Sequence, residues 1–195
     1  MVTVKDIEYA CDIGQSLDFS RHELEGTELS LQKTFYPYGF AVQVRTNRRE
    51  VLALLEELWG MFDKQHDSET IQSDVFVADG GSVECPPTPN YQIHLPWMIS
   101  IADGMNYSIV DLERKRAQIS ISNAALQHPL YLKYFLLGAP VGCIATSYAT
   151  PIHAGCVALD GRGVLLCGDS GAGKSSLSFA CARKGWTYIT DDAAF

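Results

Sequence analysis

GVLLCGDSGAGKSSLSFACARKGWTYITDD runs from Gly163 to Asp192 and carries more structural information than any other stretch of the chain. Within it, Gly168-Asp169-Ser170-Gly171-Ala172-Gly173-Lys174-Ser175 satisfies the phosphate-loop pattern G-x-x-x-x-G-K-[ST] at every fixed position. Val164 to Cys167 is a short apolar run of buried-strand type, and Ser175 to Lys184 has the composition of a helix. Leu177, Ala180 and Cys181, at i, i+3 and i+4, predict its apolar face, and Gly185 stands where a C-capping glycine belongs. Trp186 to Thr190 predicts a second strand, which delivers Asp191 and Asp192 at its end.

Each part has a chemical use. A loop rich in glycine turns its backbone N–H groups inward and makes a concave anion site over a helix N-terminus. Gly168 to Ser176 is therefore the candidate nucleotide-phosphate cradle, with Lys174 reaching the outer phosphates and the Ser175 hydroxyl available to Mg2+. The two aspartates offer a further magnesium contact and a base. A glycine-rich turn between strand and helix also occurs without a ligand; here the full motif, its flanking elements and the carboxylates occur together.

These residues resemble a known family. The DSGAGKS loop, the helix ending Arg183-Lys184-Gly185-Trp186, and the Asp191-Asp192 pair look like the catalytic domain of bacterial HPr kinase/phosphorylase and its serine-kinase relatives. His153-Ala154-Gly155, ahead of a strand-turn-strand through Asp160-Gly161-Arg162-Gly163, is similar to that family's histidine segment. ATP-dependent phosphoenolpyruvate carboxykinase shares the short spacing from loop to aspartates, but the arginines and metal ligands of that enzyme have no convincing counterpart in this chain. The resemblance covers residues 150–192.

The chain reads as α/β: an α+β N-terminal region over residues 1–125, then, as the resemblance implies, an incomplete P-loop domain of the HPr kinase/carboxykinase type over residues 126–195. The resemblance implies an ATP-dependent protein serine kinase, able in some members to run in reverse as a phosphorylase, with ATP and Mg2+ as cofactors and a small protein as phosphoacceptor. Asp191 would be the general base, His153 would orient it or pair with its charge, and Asp192 would hold magnesium together with Ser175. Ser176 stands where the family has a glutamate. Family members carry further strands, a carboxylate and a substrate loop beyond the point corresponding to Phe195, so a nucleotide-binding or sensor module without transfer is the alternative expectation. Family members also assemble as homo-oligomers.

The rest of the chain sets limits. It has 195 residues, of which 47% are hydrophobic and 19% charged, enough for a substantial core. A net charge of −8 argues against a nucleic-acid or anionic-membrane partner. Cys11, Cys85, Cys143, Cys156, Cys167 and Cys181 have neither paired C-x-x-C spacing nor a metal-ligand cadence with the five histidines. The N-terminus lacks an apolar signal core and no uninterrupted apolar run reaches spanning length, so a cytoplasmic chain without a membrane span is expected.

Upstream, Phe40–Arg45 alternates as a half-buried strand after a turn at Phe35–Gly39. A helix from Arg48 to Phe62 is expected to be capped by Thr46 or Asn47, with Val51, Leu54, Leu55, Leu58 and Phe62 as its core stripe. Ser73–Ala78 reads as a strand and the proline-rich Glu84–Asn90 as a loop. Asn106–Leu112 and Ala117–Ser122 read as a hairpin around a solvated basic turn, Arg114-Lys115-Arg116. Residues 127–147 predict a buried helical segment, opened by Pro129 and broken at Gly138-Ala139-Pro140.

Overall fold

The computed structural model describes residues 28–194 together with Tyr9 and Ile13. The opening segment with Cys11 and His22 lies outside them. The chain is mixed α/β and divides into two compact units, the first ending at Ser147 and the second starting at Tyr148.

The first unit is built on seven strands: β1 (Leu31–Phe35), β2 (Val42–Thr46), β3 (Ile71–Ala78), β4 (Asn90–His94), β5 (Trp97–Ile101), β6 (Tyr107–Asp111) and β7 (Arg116–Ser122). Their order in the sheet is β1-β2-β3-β7-β6-β5-β4. β2, β3 and β7 run parallel at its centre, and antiparallel pairs flank them on both sides. Register aligns the core rows: Val42 lies opposite Ile71, Val75 opposite Ile119, and Val77 opposite Ile121. All of these are buried, as expected of parallel strands that need cover on the face they turn to helices.

Helices α1 (Arg49–Trp59) and α3 (Ala139–Ser147) supply that cover, and α2 (Pro129–Phe135) packs against α1. α1 packs on β1 and β2 through Val51, Leu55 and Trp59, and the Trp59 ring meets Phe35 edge-on at 5.9 Å. The expected stripe is therefore met at Val51 and Leu55, while Trp59 takes the place expected of Phe62. The expected caps do not form as drawn. Thr46 Oγ1 accepts from the Arg48 N–H at 3.3 Å, and Asn47 is diverted to β3, exchanging two 2.9 Å hydrogen bonds with the Val77 backbone.

The predicted hairpin is present as β6–β7, and its basic turn is ion-paired: Lys115 with Glu69 and Arg116 with Asp74. On the side of the sheet away from the helices, Arg45 grips Asp74 with two 2.7 Å bonds and Arg116 adds a third at 2.8 Å. β1, β4 and β5 are strands that the sequence pattern did not disclose.

The 127–147 segment is helical, with its break after Phe135. By length and composition it is the one candidate membrane span among the described residues. It is folded as two short helices, and α3 packs on β3, β6 and β7. That packing places the segment with the first unit, so the division falls after Ser147 where residue 125/126 was expected.

The second unit holds β8 (Ile152–His153), β9 (Gly155–Leu159), β10 (Arg162–Leu166), α4 (Lys174–Arg183), β11 (Thr187–Thr190) and β12 (Ala193–Ala194). β9 is the centre of a three-stranded sheet and is antiparallel to both β10 and β11. The two strands that flank the loop-helix segment are thus parallel to each other but separated by β9. Asp160 and Gly161, both with positive φ, form the two-residue turn of the β9–β10 hairpin.

Candidate functional site

The loop from Cys167 to Gly173 leaves the end of β10 and enters α4. Gly171 and Gly173 have φ of 81° and 87°, a left-handed conformation that a side chain would strain, and Gly173 is the N-cap of α4. With no side-chain cap there, the first N–H groups of the helix remain available to an anion. Lys174 is buried across the loop, its ammonium donating to the carbonyls of Gly168 at 2.8 Å and Asp169 at 3.1 Å. Ala172 N–H closes onto the Asp169 carbonyl at 3.1 Å. Lysine and backbone therefore hold the loop as a ring around its own mouth.

The far end of α4 follows its sequence closely. Gly185 N–H donates to Ala182 O at 3.0 Å and Trp186 N–H to Cys181 O at 3.2 Å, the two bonds of a Schellman cap with Gly185 left-handed at φ 89°. The helix face does not follow its sequence. Lys174 and Ser178 are the buried positions, Cys181 and Ala182 are half-buried, and Leu177, Ala180 and Phe179 are exposed. Gly155 of β9 explains the rotation. A Cβ on it would stand 2.5 Å from Ser178 Oγ, so α4 meets β9 through small groups and its larger apolar side chains point away.

Asp191 and Asp192 turn to different partners. The hydroxyls of Tyr188 and Ser175 lie beside the Asp191 carboxylate and, Tyr188 the stronger influence, hold it below the usual carboxylate range. The Asp191 carboxylate in turn pushes the Tyr188 phenol up. Ser175, Ser176, Phe179, Ala182, Tyr188 and Asp191 line one open depression of about 600 Å³. Asp192 instead lies 3.3 Å from His153 Nδ1. Backbone pairing produces this contact: β8 and β12 run antiparallel with His153 opposite Ala193, which brings the imidazole beside the preceding aspartate. The Asp192 N–H meets Thr190 Oγ1 at 3.4 Å.

The loop, Lys174, Ser175, His153 and both aspartates, the residues expected at the site, all lie in the second unit. The structure pairs Ser175 with Asp191, where Asp192 was expected, and His153 with Asp192. Tyr188 went unnoticed, because a tyrosine in a predicted strand reads as packing. Its only available signal was its spacing, three residues before Asp191. Gly155 was noted within the histidine segment, but not as the contact that seats α4.

The donor set fits magnesium. A serine hydroxyl and a carboxylate, both hard oxygen donors side by side at the start of the helix, suit an ion that keeps most of its waters and binds phosphate oxygens. Among the described residues, no group of three or more His, Cys, Asp or Glu converges on a metal position.

Compared with protein-family models, with curated proteins and with solved structures, the chain matches none.

Proposed function

We propose that this chain binds Mg2+-ATP through Gly168 to Ser176 and serves ATP-dependent phosphoryl transfer to a serine hydroxyl of a small protein, in the manner of HPr-kinase-like serine kinases in the cytoplasm. The observation that carries the reading is the meeting of Ser175, at the head of the phosphate-loop helix, with the Asp191 carboxylate. Glycine turns and an uncapped helix start supply phosphate-facing N–H groups, and Lys174 is held at the loop mouth to meet the outer phosphates.

The roles of the two aspartates follow from their partners. Asp191, beside Ser175, is the carboxylate on the metal side, and Tyr188 fixes its orientation. Magnesium, when bound, neutralises charge on the transferring phosphoryl group. Asp192 is the general base: it takes the proton from the acceptor serine as that oxygen bonds to the γ-phosphorus and ADP departs. His153, its Nδ1 3.3 Å from Asp192, holds the carboxylate toward the acceptor. These assignments exchange the roles that the family resemblance implies for the pair.

Two variants test the reading by calorimetry and by transfer of labelled γ-phosphate. Asp191→Asn is expected to weaken magnesium-dependent ATP binding by about tenfold or more. Asp192→Asn is expected to keep that binding and lose transfer to protein serine. Magnesium-dependent binding with no transfer to any protein of a cell extract would make the chain a nucleotide-binding module instead.

A further inference from the structure

One strand of the first unit stands apart in its chemistry. β4 ends the seven-stranded sheet, hydrogen-bonded to β5 on one side only among the described residues. Its residues, Asn90-Tyr91-Gln92-Ile93-His94, bear no carboxylate, ammonium or guanidinium, and the sequence is free of Asp, Glu, Lys and Arg from Cys85 to Ala102. Tyr91, Ile93 and the adjoining Leu95 are 56%, 66% and 78% exposed. Sheet edges in soluble proteins are normally guarded by charge, proline or cover. The opposite edge obeys that rule, since β1 carries Lys33, ion-paired at 2.5 Å with Glu56 of α1. β4 is unguarded.

The strand is also complementary to itself. Laid antiparallel against a second copy about Gln92, it sets Tyr91 against Ile93 on one face, and Asn90 against His94 and Gln92 against Gln92 on the other. Alternation within the strand keeps the two faces separate. Apolar groups meet apolar groups and amides meet amides or imidazole. In a chain of net charge −8, a self-contact is favoured where carboxylates are missing. Tyr91, Ile93 and Leu95 offer on the order of 400 Å² of apolar surface per copy, roughly half of the ~800 Å² that each partner buries in a standard interface. Backbone pairing and the polar flanks add to that area.

We infer that β4 is a homodimerisation edge, pairing antiparallel with β4 of a second copy about Gln92 to make one continuous fourteen-stranded sheet. The inference concerns the first unit alone and is independent of the nucleotide chemistry. Directly opposed residues of an antiparallel pair have Cα atoms about 4.5–5.5 Å apart, within disulfide reach. Gln92→Cys in the full chain is therefore expected to form a disulfide-linked dimer under mild oxidation. Asn90→Cys, whose two copies stand roughly 13 Å apart in this register, is not. Wild-type chain controls for its own cysteines.

Sedimentation equilibrium supplies the second arm. The wild-type chain is expected to associate as a dimer, and Ile93→Lys, an exposed change checked for unaltered circular dichroism, to weaken association by about tenfold or more. A wild-type chain that stays monomeric overturns the inference. So does a dimer that withstands Ile93→Lys, which would use another surface, or equal crosslinking through Asn90→Cys, which would show a different register.

Discussion

At the scale of single residues, the second unit depends on a hydrogen atom. Gly155 has no Cβ, and that allows Ser178 and the body of α4 to lie directly on β9, with Ser178 Oγ donating to the Lys174 carbonyl at 3.0 Å. Gly155→Ala forces a contact near 2.5 Å that only a shift of the helix relieves. Overpacking of this kind costs about 1–3 kcal/mol. Chemical denaturation is expected to show that loss, and Ser178→Ala in the Gly155→Ala background is expected to recover part of it, because the crowded oxygen is gone. Recovery would tie the cost to this pair; a loss unchanged by Ser178→Ala would place its cause elsewhere. The displaced helix carries Lys174 and Ser175 with it, so the same substitution is expected to weaken nucleotide binding.

At the scale of elements, the parallel centre of the first unit is tied across three strands by one carboxylate. Burial pushes the Asp74 carboxyl up, but hydrogen bonds and charge from Arg45 and Arg116 outweigh burial and leave it below its ordinary value. Because the folded-state value lies below the unfolded one, this contribution is complete above the unfolded carboxylate range near ~4 and is lost as pH falls through the folded value. Asp74→Asn is expected to destabilise the chain by roughly 1–3 kcal/mol at neutral pH, a figure kept low because both arginines reach solvent. It is also expected to flatten the fall in Tm below that range, measured by thermal melts across acid pH.

The same elements show what a sequence can and cannot display. The β6–β7 hairpin, the α1 stripe at Val51 and Leu55, and the Gly185 cap were legible, because each depends on local periodicity or on one glycine. β4 and β5 were hidden by Pro86, Pro87, Pro89 and Pro96, which read as breakers; the prolines stand before β4 and in the Leu95-Pro96 turn, outside the ladder. The facing of α4 was misjudged because Leu177 looks like core, whereas the contact with Gly155 on a distant strand sets its rotation. Asn47 looked like a cap, but the Val77 backbone of β3 claims it. In each case a partner remote in sequence overrides a local preference.

At the scale of the whole molecule, the chain is an α/β protein in two units, and the proposed nucleotide site lies in the second. The first unit contributes a sheet with one edge unguarded among the described residues, and its burial extends to Cys143, whose thiol burial pushes up to about 12. Such a thiol stays protonated and unreactive at neutral pH. The loop, the lysine and the carboxylates stand out in the sequence because the phosphate-loop pattern fixes both residue types and spacing. Which aspartate meets which partner could not, since adjacent residues exchange faces with a small change in backbone, and only the β8–β12 pairing fixes the choice.

The central claim is that Gly168 to Ser176 is a working nucleotide site. Isothermal calorimetry of the full chain with ATP and Mg2+, beside its Lys174→Ala variant, tests it most directly. Saturable, magnesium-dependent binding to the wild-type chain, abolished in Lys174→Ala while circular dichroism and melting stay close to wild type, is the predicted result. Absence of binding by the folded wild-type chain, or binding that Lys174→Ala leaves intact, would contradict the account.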